Sequence, residues 1–301
     1  MVMTADVRSK LEAFLQERTG SRDLLSLLRI DFRDVMATPA DPAVRRHPQM
    51  LNVDPGVAGV YQDTHTHPLA HIETLADVEA YAPLRTPDWY DFSPITRQAA
   101  QWHEGEFVTL FGSAGIFDIV NGLGSRGVGY ERILCDLLSG DDAILALVDK
   151  HLEADYEFCR RGLEAGAGEI DILYIGEDCG TQQGPLFPPP FFREFFAPRL
   201  KRFVDLAHEH GAACMMHSCG STRDLMPIFI EDMGLDILDA VQPEPAGMDP
   251  VGLKRDFGDR LVFSGMLSLQ QTLARGTPEE CRREAEHRIA EIGRDGGYIF
   301  G

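Results

Sequence analysis

Apolar and polar positions along the chain follow two periods, and from about residue 106 onward segments of the two kinds alternate. Short apolar runs, such as 212–216 and 235–241, are typical of buried strands. Longer segments with apolar residues three and four positions apart, such as 141–165 and 190–210, are typical of helices that pack one face on a sheet. Strands that alternate with helices predict a parallel sheet covered by helices.

The predicted strands cover 107–111, 170–175, 212–216, 235–241, 260–263 and 297–300. The predicted helices cover 4–28 with a break at 19–21, 75–81, 130–138, 141–165, 190–210, 221–233, 250–257 and 278–292. Thr277 is the predicted N-cap of the last helix, because a threonine hydroxyl can accept a hydrogen bond from the first turn. Residues 37–60 are rich in proline and glycine, which predicts an irregular connection.

This repeat predicts the α/β class and a (β/α)₈ TIM barrel as the architecture. We expect a single barrel domain over 1–301, in which 1–105 form N-terminal helices and an irregular segment and 106–301 form the regular repeats. No GxGxxG sequence directly follows a predicted strand, which disfavours an open dinucleotide-binding sheet. The chain stops directly after a predicted strand, so we expect the C-terminal helix that would close the barrel to be absent.

The amino-acid composition disfavours some classes of binding partner. The 301 residues are 44% hydrophobic and carry a formal net charge of −20. Nucleic acids and anionic membranes bind clustered Lys and Arg, so this charge disfavours both. The sequence contains no run of 18 apolar residues and no secretory signal at its start, which predicts a cytoplasmic protein. The six cysteines lie too far apart for a disulfide scaffold.

Candidate metal ligands lie at the end of the 212–216 strand. His217 and Cys219 are two positions apart, and on a strand such residues point to the same face. Imidazole and thiolate are preferred zinc ligands, and a catalytic zinc site commonly has three protein ligands and one open position. The pair therefore predicts two of three zinc ligands, although a buried pair without metal is the alternative.

Acidic residues end the preceding strand. Glu177 and Asp178 are the candidate catalytic residues, as a metal ligand, a partner that orients His217, or a substrate contact. Being adjacent, they point to opposite faces, so one can reach the pocket while the other caps the turn. Cys179 is an alternative third ligand if its loop turns inward.

Three further residues near the predicted pocket are candidate substrate contacts, namely Tyr61, Gln182 and Gln242. Five phenylalanines surround a proline run between residues 187 and 196. This cluster predicts core or subunit-interface packing, with a lid over an apolar ligand as the alternative.

His65 and His67 form a His-x-His pair, which is a metal-binding pattern of barrel amidohydrolases. That class also needs a bridging lysine at a strand end, and the four lysines here all fall on predicted helices. A polar loop near the pocket mouth is the favoured interpretation.

Four segments together resemble the signatures of the uroporphyrinogen decarboxylase-like superfamily. In chain order they are 174–182 (YIGEDCGTQ), 217–220 (HSCG), 239–243 (DAVQP) and 254–260 (KRDFGDR). The order and spacing agree from about His67 to the end of the chain. The resemblance implies a (β/α)₈ barrel.

The His-x-Cys-Gly motif resembles the corrinoid-dependent methyltransferase branch of that superfamily. The resemblance implies a zinc ion held by His217, Cys219 and a later cysteine, a methylcorrinoid as substrate or on a partner corrinoid protein, and compatibility with a homodimer. The later cysteine would fall at or after the last predicted strand, and Cys281, on a predicted outer helix, is a poor substitute. Where many relatives have Gly-Gly-Ile-Asp, this chain has Gly-Met-Leu-Ser at 265–268, which leaves the substrate open.

The sequence therefore predicts an enzyme, a zinc-dependent methyltransferase that moves a methyl group between a corrinoid and a thiol or methylated small molecule. One alternative is a metal-free tetrapyrrole decarboxylase (a lyase) of the uroporphyrinogen decarboxylase type, with Arg29 or Arg33 binding substrate carboxylates. The N-terminal arginine signature of those decarboxylases is absent. The other alternative is a non-catalytic barrel that binds a corrinoid or a tetrapyrrole.

Overall fold

The structure is a computed structural model that describes residues 5–21, 23–40, 72–80, 86–112, 115–116 and 130–301. Its strands are β1 (Phe32–Asp34), β2 (Thr38–Pro39), β3 (Tyr90–Asp91), β4 (Val108–Gly112), β5 (Ile172–Gly176), β6 (Ala213–His217), β7 (Ile237–Val241), β8 (Val262–Gly265) and β9 (Tyr298–Phe300). Its α-helices are α1 (Ala5–Thr19), α2 (Leu24–Leu27), α3 (Leu75–Ala80), α4 (Pro94–Glu104), α5 (Tyr130–Ser139), α6 (Asp142–Gly166), α7 (Pro189–Phe191), α8 (Ala197–Glu209), α9 (Pro250–Phe257) and α10 (Pro278–Ile292).

Seven of the described strands form one parallel sheet in the order β1-β4-β5-β6-β7-β8-β9, and β2 and β3 form a separate antiparallel pair. Each strand after β4 lies beside the strand that precedes it in the chain, and helical segments connect them. A parallel sheet of this order, with helices between the strands, is consistent with a TIM-barrel-like fold. Closure by an eighth strand is not seen within the described residues and stays a prediction.

The two faces of the sheet pack differently. The outer face and the helices form a large apolar core, in which Leu173, Cys214 and Phe263 are fully buried. A smaller apolar cluster contains Ile172 of β5, Met215 of β6 and Ile237 of β7, packed against partly buried residues of neighbouring strands. Because side chains alternate along a strand, this small cluster defines the inner face of the sheet.

Two matching networks fasten the strands at their N-terminal ends. Asp171, just before β5, accepts hydrogen bonds from the backbone N–H of Thr109 on β4 (2.7 Å) and from His103 at the end of α4 (2.9 Å). Asp236, just before β7, does the same with the backbone N–H of Cys214 on β6 (2.8 Å) and with His208 of α8 (2.7 Å). In both networks an aspartate ties its own strand to the preceding strand and to the helix that leads into that preceding strand.

The elements predicted from the sequence differ from the structure in several places. The strands β1, β2 and β3 and the helix α4 were not predicted, and β1 pairs with β4 as an edge of the main sheet. The helix predicted over 221–233 is a 3₁₀ turn (Arg223–Leu225) followed by a π-helical stretch (Ile228–Met233). The helix predicted over 190–210 contains a π-helical stretch, Phe192–Phe196, between α7 and α8.

A helix that spans a membrane must be both long and apolar along its whole length. Among the helices in the described part of the chain, none meets both requirements.

Candidate metal centre

Four polar side chains extend the inner face of the sheet at its C-terminal edge. Each lies two positions beyond an inward-facing apolar residue of the same strand, and side chains at that spacing share a face. The four residues are Tyr174 after Ile172, His217 after Met215, Asp239 after Ile237 and Ser264 after Val262. The strand register places Gly176 beside His217 and His217 beside Asp239. The candidate centre therefore lies directly above the small apolar cluster.

Asp178, His217 and Cys219 converge at this edge. One ligand atom of each lies within 4.8 Å of the others, which is compatible with one metal ion. Asp178 Oδ1 lies 3.4 Å from His217 Nε2 and 3.4 Å from Cys219 Sγ, and it also faces the backbone N–H of Cys219 at 3.4 Å. The loop after β5 supplies the aspartate and the end of β6 supplies the other two groups. All three side chains are half-buried.

Two carboxylates flank the His217 ring. Nε2 faces Asp178, and Nδ1 lies 3.5 Å from Asp239 Oδ2. Burial alone would lower the pKa of His217, but the hydrogen bonds with Asp178 and Asp239 outweigh it and raise that pKa to about 12. The same contact with His217 lowers the pKa of Asp178 below its ordinary value. The centre thus favours a positive charge at this position, which a metal cation would also provide.

Glu177 and Asp178 point in different directions. Glu177 is 1% exposed, and its Oε2 accepts a hydrogen bond from the backbone N–H of Ile116 at 2.7 Å. Its own backbone N–H donates to the carbonyl of His217 at 2.8 Å. The Glu177 carboxylate therefore holds a segment that follows β4, whereas the Asp178 carboxylate lies beside His217 and Cys219.

The other cysteines named as candidate ligands lie elsewhere. Cys179 is buried, its Sγ donates to the Glu177 carbonyl at 3.1 Å, and burial raises the pKa of its thiol well above the ordinary value. Cys281 lies on α10 and its Sγ donates to the Thr272 carbonyl at 3.3 Å. Neither belongs to the group of ligand atoms formed by Asp178, His217 and Cys219.

Two of the three candidate substrate contacts belong to the described residues, and both lie at the same C-terminal edge of the sheet. Gln182 lies in the loop after β5, where its carbonyl accepts from Ala246 at 3.0 Å and its side-chain oxygen accepts from Gln270 at 3.3 Å. Gln242 follows β7 directly and is half-buried. Tyr61, like the alternative metal pair His65 and His67, lies outside the described residues.

The phenylalanine cluster packs in the core. Four of its members are buried, namely Phe187, Phe192, Phe195 and Phe196, and Phe191 is half-buried against them. Phe192 and Phe196 stack at a ring-centroid distance of 5.2 Å, and Phe229 meets Phe192 edge-on. This packing favours the interpretation of the cluster as core.

Asp239 and Tyr174 belong to the centre although the sequence did not predict roles for them. Ser264 Oγ donates to Asp239 Oδ1 at 2.7 Å, and Tyr174 OH lies 3.5 Å from Asp239 Oδ2, so these residues surround the far side of His217. Their two-residue offset from inward-facing apolar positions was a usable signal. To use this signal, one must know which of the two alternating sets of side chains faces inward. The sequence of a short strand that is buried on both faces does not reveal this.

The donor set suits a metal ion. A carboxylate oxygen, an imidazole nitrogen and a thiol sulfur within 4.8 Å of one another are all zinc-binding groups, and three protein ligands are typical of a catalytic zinc site. The Asp239 carboxylate lies beside His217 Nδ1, and a metal-binding histidine usually has such an acceptor at its other ring nitrogen. The residues present therefore fit zinc.

Comparisons with known proteins agree with this fold. The family model described as uroporphyrinogen decarboxylase (URO-D) matches residues 62–301. The methylcobamide:CoM methyltransferase MtbA of Methanosarcina mazei is 26% identical over 161 residues, which are 52% of this chain and 43% of that protein. A solved methyltransferase structure from Methanosarcina mazei superposes with a TM-score of 0.51 at 20% identity, over 69% of this chain and 58% of that one. The chain thus spans less than half of the matched relative's length.

Proposed function

Because the chain belongs to the uroporphyrinogen decarboxylase-like superfamily, we propose that it lies in the methyltransferase branch and is a zinc-dependent methyltransferase acting between a corrinoid and a small thiol. Its similarity to two Methanosarcina methyltransferases supports this proposal. The observation that carries this proposal is the convergence of Asp178, His217 and Cys219 within 4.8 Å at the C-terminal edge of a parallel sheet. Active sites of barrel enzymes lie at that edge. We further propose that residues 1–301 form one barrel domain.

Under this proposal, His217 Nε2, Cys219 Sγ and an Asp178 oxygen hold the zinc. When bound, zinc would act as a Lewis acid that lowers the pKa of a substrate thiol, so that the more nucleophilic thiolate is available near neutral pH. The Cys219 thiol donates to Asp178 Oδ1 at 3.4 Å, and its proton would be released to solvent when zinc binds, because metal ligands bind in their deprotonated form. The overall reaction converts a thiol and a methylcorrinoid into a methyl thioether, a proton and a demethylated, reduced corrinoid.

The remaining demand on the protein is orientation, because methyl transfer needs the sulfur and the methyl carbon to be held close and in line. Gln182 and Gln242, at the same edge, are proposed substrate contacts, together with Tyr61. Glu177 is proposed to support the site by holding the segment at Ile116 in place. The methylcorrinoid would be either a free substrate or the group carried by a partner corrinoid protein, and a cytoplasmic homodimer is part of the proposal.

The decarboxylase alternative requires Arg29 or Arg33 to bind substrate carboxylates, and the positions of both arginines disfavour that role. Arg33 is 2% exposed, donates to the carbonyl of Phe32 at 3.0 Å and stacks its guanidinium 3.6 Å from the ring centre of Phe107. Arg29 precedes β1, at the opposite end of the sheet from His217. Neither is available at the C-terminal edge to pair with substrate carboxylates.

The test is demethylation of methylcobalamin by the purified, zinc-loaded protein in the presence of a small thiol, followed through the change in the corrinoid absorption spectrum. We expect turnover by the unchanged protein and a loss on the order of 100-fold or more for His217→Ala and Cys219→Ala, since a Lewis acid supplies several kcal/mol to the reaction. Cys281→Ser is the matched control, because it removes a thiol on α10 outside the centre, and it should retain the rate of the unchanged protein.

Equal rates for His217→Ala and the unchanged protein would contradict the proposal. Decarboxylation of uroporphyrinogen by the chelator-treated protein would instead support the metal-free lyase alternative. Saturable corrinoid binding that is never followed by demethylation, with every thiol tried, would support the non-catalytic barrel.

A further inference from the structure

The side of His217 that faces away from Asp178 and Cys219 is surrounded by polar side chains from three strands. Tyr174, Asp239 and Ser264 each lie two positions beyond an inward-facing apolar residue, so all three point to the side of the sheet on which His217 lies. Asp239 is next to His217 in the register of β6 and β7. Asp239 does not belong to the group of ligand atoms formed by Asp178, His217 and Cys219.

Asp239 is the central residue of this group. Its Oδ2 lies 3.5 Å from His217 Nδ1 and 3.5 Å from the hydroxyl of Tyr174, and its Oδ1 accepts the hydroxyl of Ser264 at 2.7 Å. Both carboxylate oxygens therefore have partners, which limits the rotation of the carboxylate. A carboxylate that is held in this way favours one orientation of the imidazole, because only one ring nitrogen can donate to it.

The backbone at the end of β7 is shaped around the same aspartate. Leu238 pairs with Phe263 and Val241 pairs with Gly265, so Asp239 and Ala240 together oppose the single residue Ser264. This is a β-bulge, and Ala240 adopts a left-handed φ of 61°, which is unfavourable for a residue with a side chain. Bulges and strained residues of this kind are concentrated beside active sites, where they direct a side chain.

We propose that Asp239, supported by Ser264 and Tyr174, is a positioning residue that keeps the His217 proton on Nδ1 and presents the lone pair of Nε2 to the zinc ion. This inference rests on the proposed function and adds the residues that orient its histidine ligand. Nε2 is the ring nitrogen that lies 3.4 Å from Asp178, on the side of Cys219, whereas Nδ1 lies on the side of Asp239. Asp239 acts through His217 and does not itself touch the metal.

The test compares zinc affinity, measured by competition with a chromophoric chelator, for the unchanged protein and for Asp239→Asn. Removal of a carboxylate that supports a metal-binding histidine typically weakens metal binding by about 10- to 100-fold, and we expect a loss in this range. Ser264→Ala, which leaves the charge of Asp239 in place, should give a smaller loss in the same direction. Because Ser264→Ala removes only one hydroxyl, it keeps the proposal testable if Asp239→Asn folds poorly.

Asp236→Asn is the matched control. It makes the same chemical change just before the same strand, and Asp236 also contacts a histidine, His208, but at the opposite end of the sheet. This variant should bind zinc as tightly as the unchanged protein. A second readout is the ¹⁵N spectrum of the His217 ring with zinc bound, which should show a protonated Nδ1 in the unchanged protein and a mixture of tautomers in Asp239→Asn.

The outcomes separate this inference from the proposed function. If the unchanged protein binds zinc through His217 and Cys219 while Asp239→Asn binds it equally tightly with the same ring tautomer, the positioning role is wrong and the metal site stands. Equal weakening in Asp236→Asn would also overturn the positioning role, because the loss would then follow from general damage to β7. If the unchanged protein binds no zinc, both proposals fail together.

Discussion

Single residues at strand ends determine what the candidate centre can do. His217 and Cys219 were predicted as a pair because alternate positions on a strand share a face, and the structure brings their ligand atoms together with Asp178. The adjacent acids, Glu177 and Asp178, differ in role because one carboxylate is buried against the amide of Ile116 and the other lies beside the imidazole. Chain spacing alone could not tell which acid turned inward.

Another histidine offers a test of side-chain electrostatics away from the metal centre. His103 lies between Asp171 and Glu169, each 2.9 Å from one of its ring nitrogens, and hydrogen bonds with these two acids raise the pKa of His103. A raised pKa in the folded state means that protonated His103 stabilises the fold. This stabilisation is complete below the ordinary histidine pKa of about 6.5 and is lost as the pH rises through the raised value.

The prediction is therefore that His103→Gln lowers the free energy of unfolding by about 0.5–1 kcal/mol near pH 6, a modest amount because the pair is partly exposed. The difference should shrink as denaturant unfolding is repeated at increasing pH, because His103 loses its proton as the pH rises through its raised pKa. His287→Gln is the control, since His287 has an exposed partner within its own helix. A His103→Gln difference that grows with pH would contradict the assignment.

At the scale of elements, most strands and helices were predictable because glycine, proline and capping residues mark their ends. Helix α10 begins after Thr277 with a full capping box, in which the Thr277 hydroxyl and the Glu280 carboxylate each accept a backbone N–H. β1 was missed because it has only three residues, two of them charged, so its sequence shows no apolar run. It is a strand because its backbone pairs with β4, which is tertiary information.

The residue that ends helix α6 gives a prediction about the stability of the fold. Ala167 follows the helix in a left-handed conformation (φ 52°, ψ 35°), is exposed, and stands at the position that glycine usually occupies after a helix. Ala167→Gly should raise the free energy of unfolding by about 0.5–1 kcal/mol, because glycine adopts this conformation without steric cost. The control, Ala154→Gly in the middle of α6, should lower it by about 1 kcal/mol. If thermal or denaturant unfolding moved both variants in the same direction, the left-handed cap at Ala167 would not be a source of strain.

At the scale of the whole molecule, the arrangement of parallel strands collects residues from separate parts of the sequence at one edge. Asp178 follows β5, His217 ends β6 and Asp239 lies in β7, yet the shared C-terminal edge makes them neighbours. The sequence predicted this edge as the site because it predicted the order of strands and helices. It could not predict the contact between Asp239 and His217, because that depends on strand register and on the bulge at Ala240.

The central claim is that Asp178, His217 and Cys219 hold one metal ion, and titration of the metal-free protein with Co²⁺ tests it most directly. Cobalt is a spectroscopic substitute for zinc, and a bound thiolate gives an intense near-ultraviolet charge-transfer band. We predict that this band saturates at about one equivalent of metal per chain, as expected for a single three-ligand site, is absent in Cys219→Ser, and persists in Cys281→Ser. A band that is unchanged in Cys219→Ser, or no binding of cobalt or zinc at all, would contradict the claim.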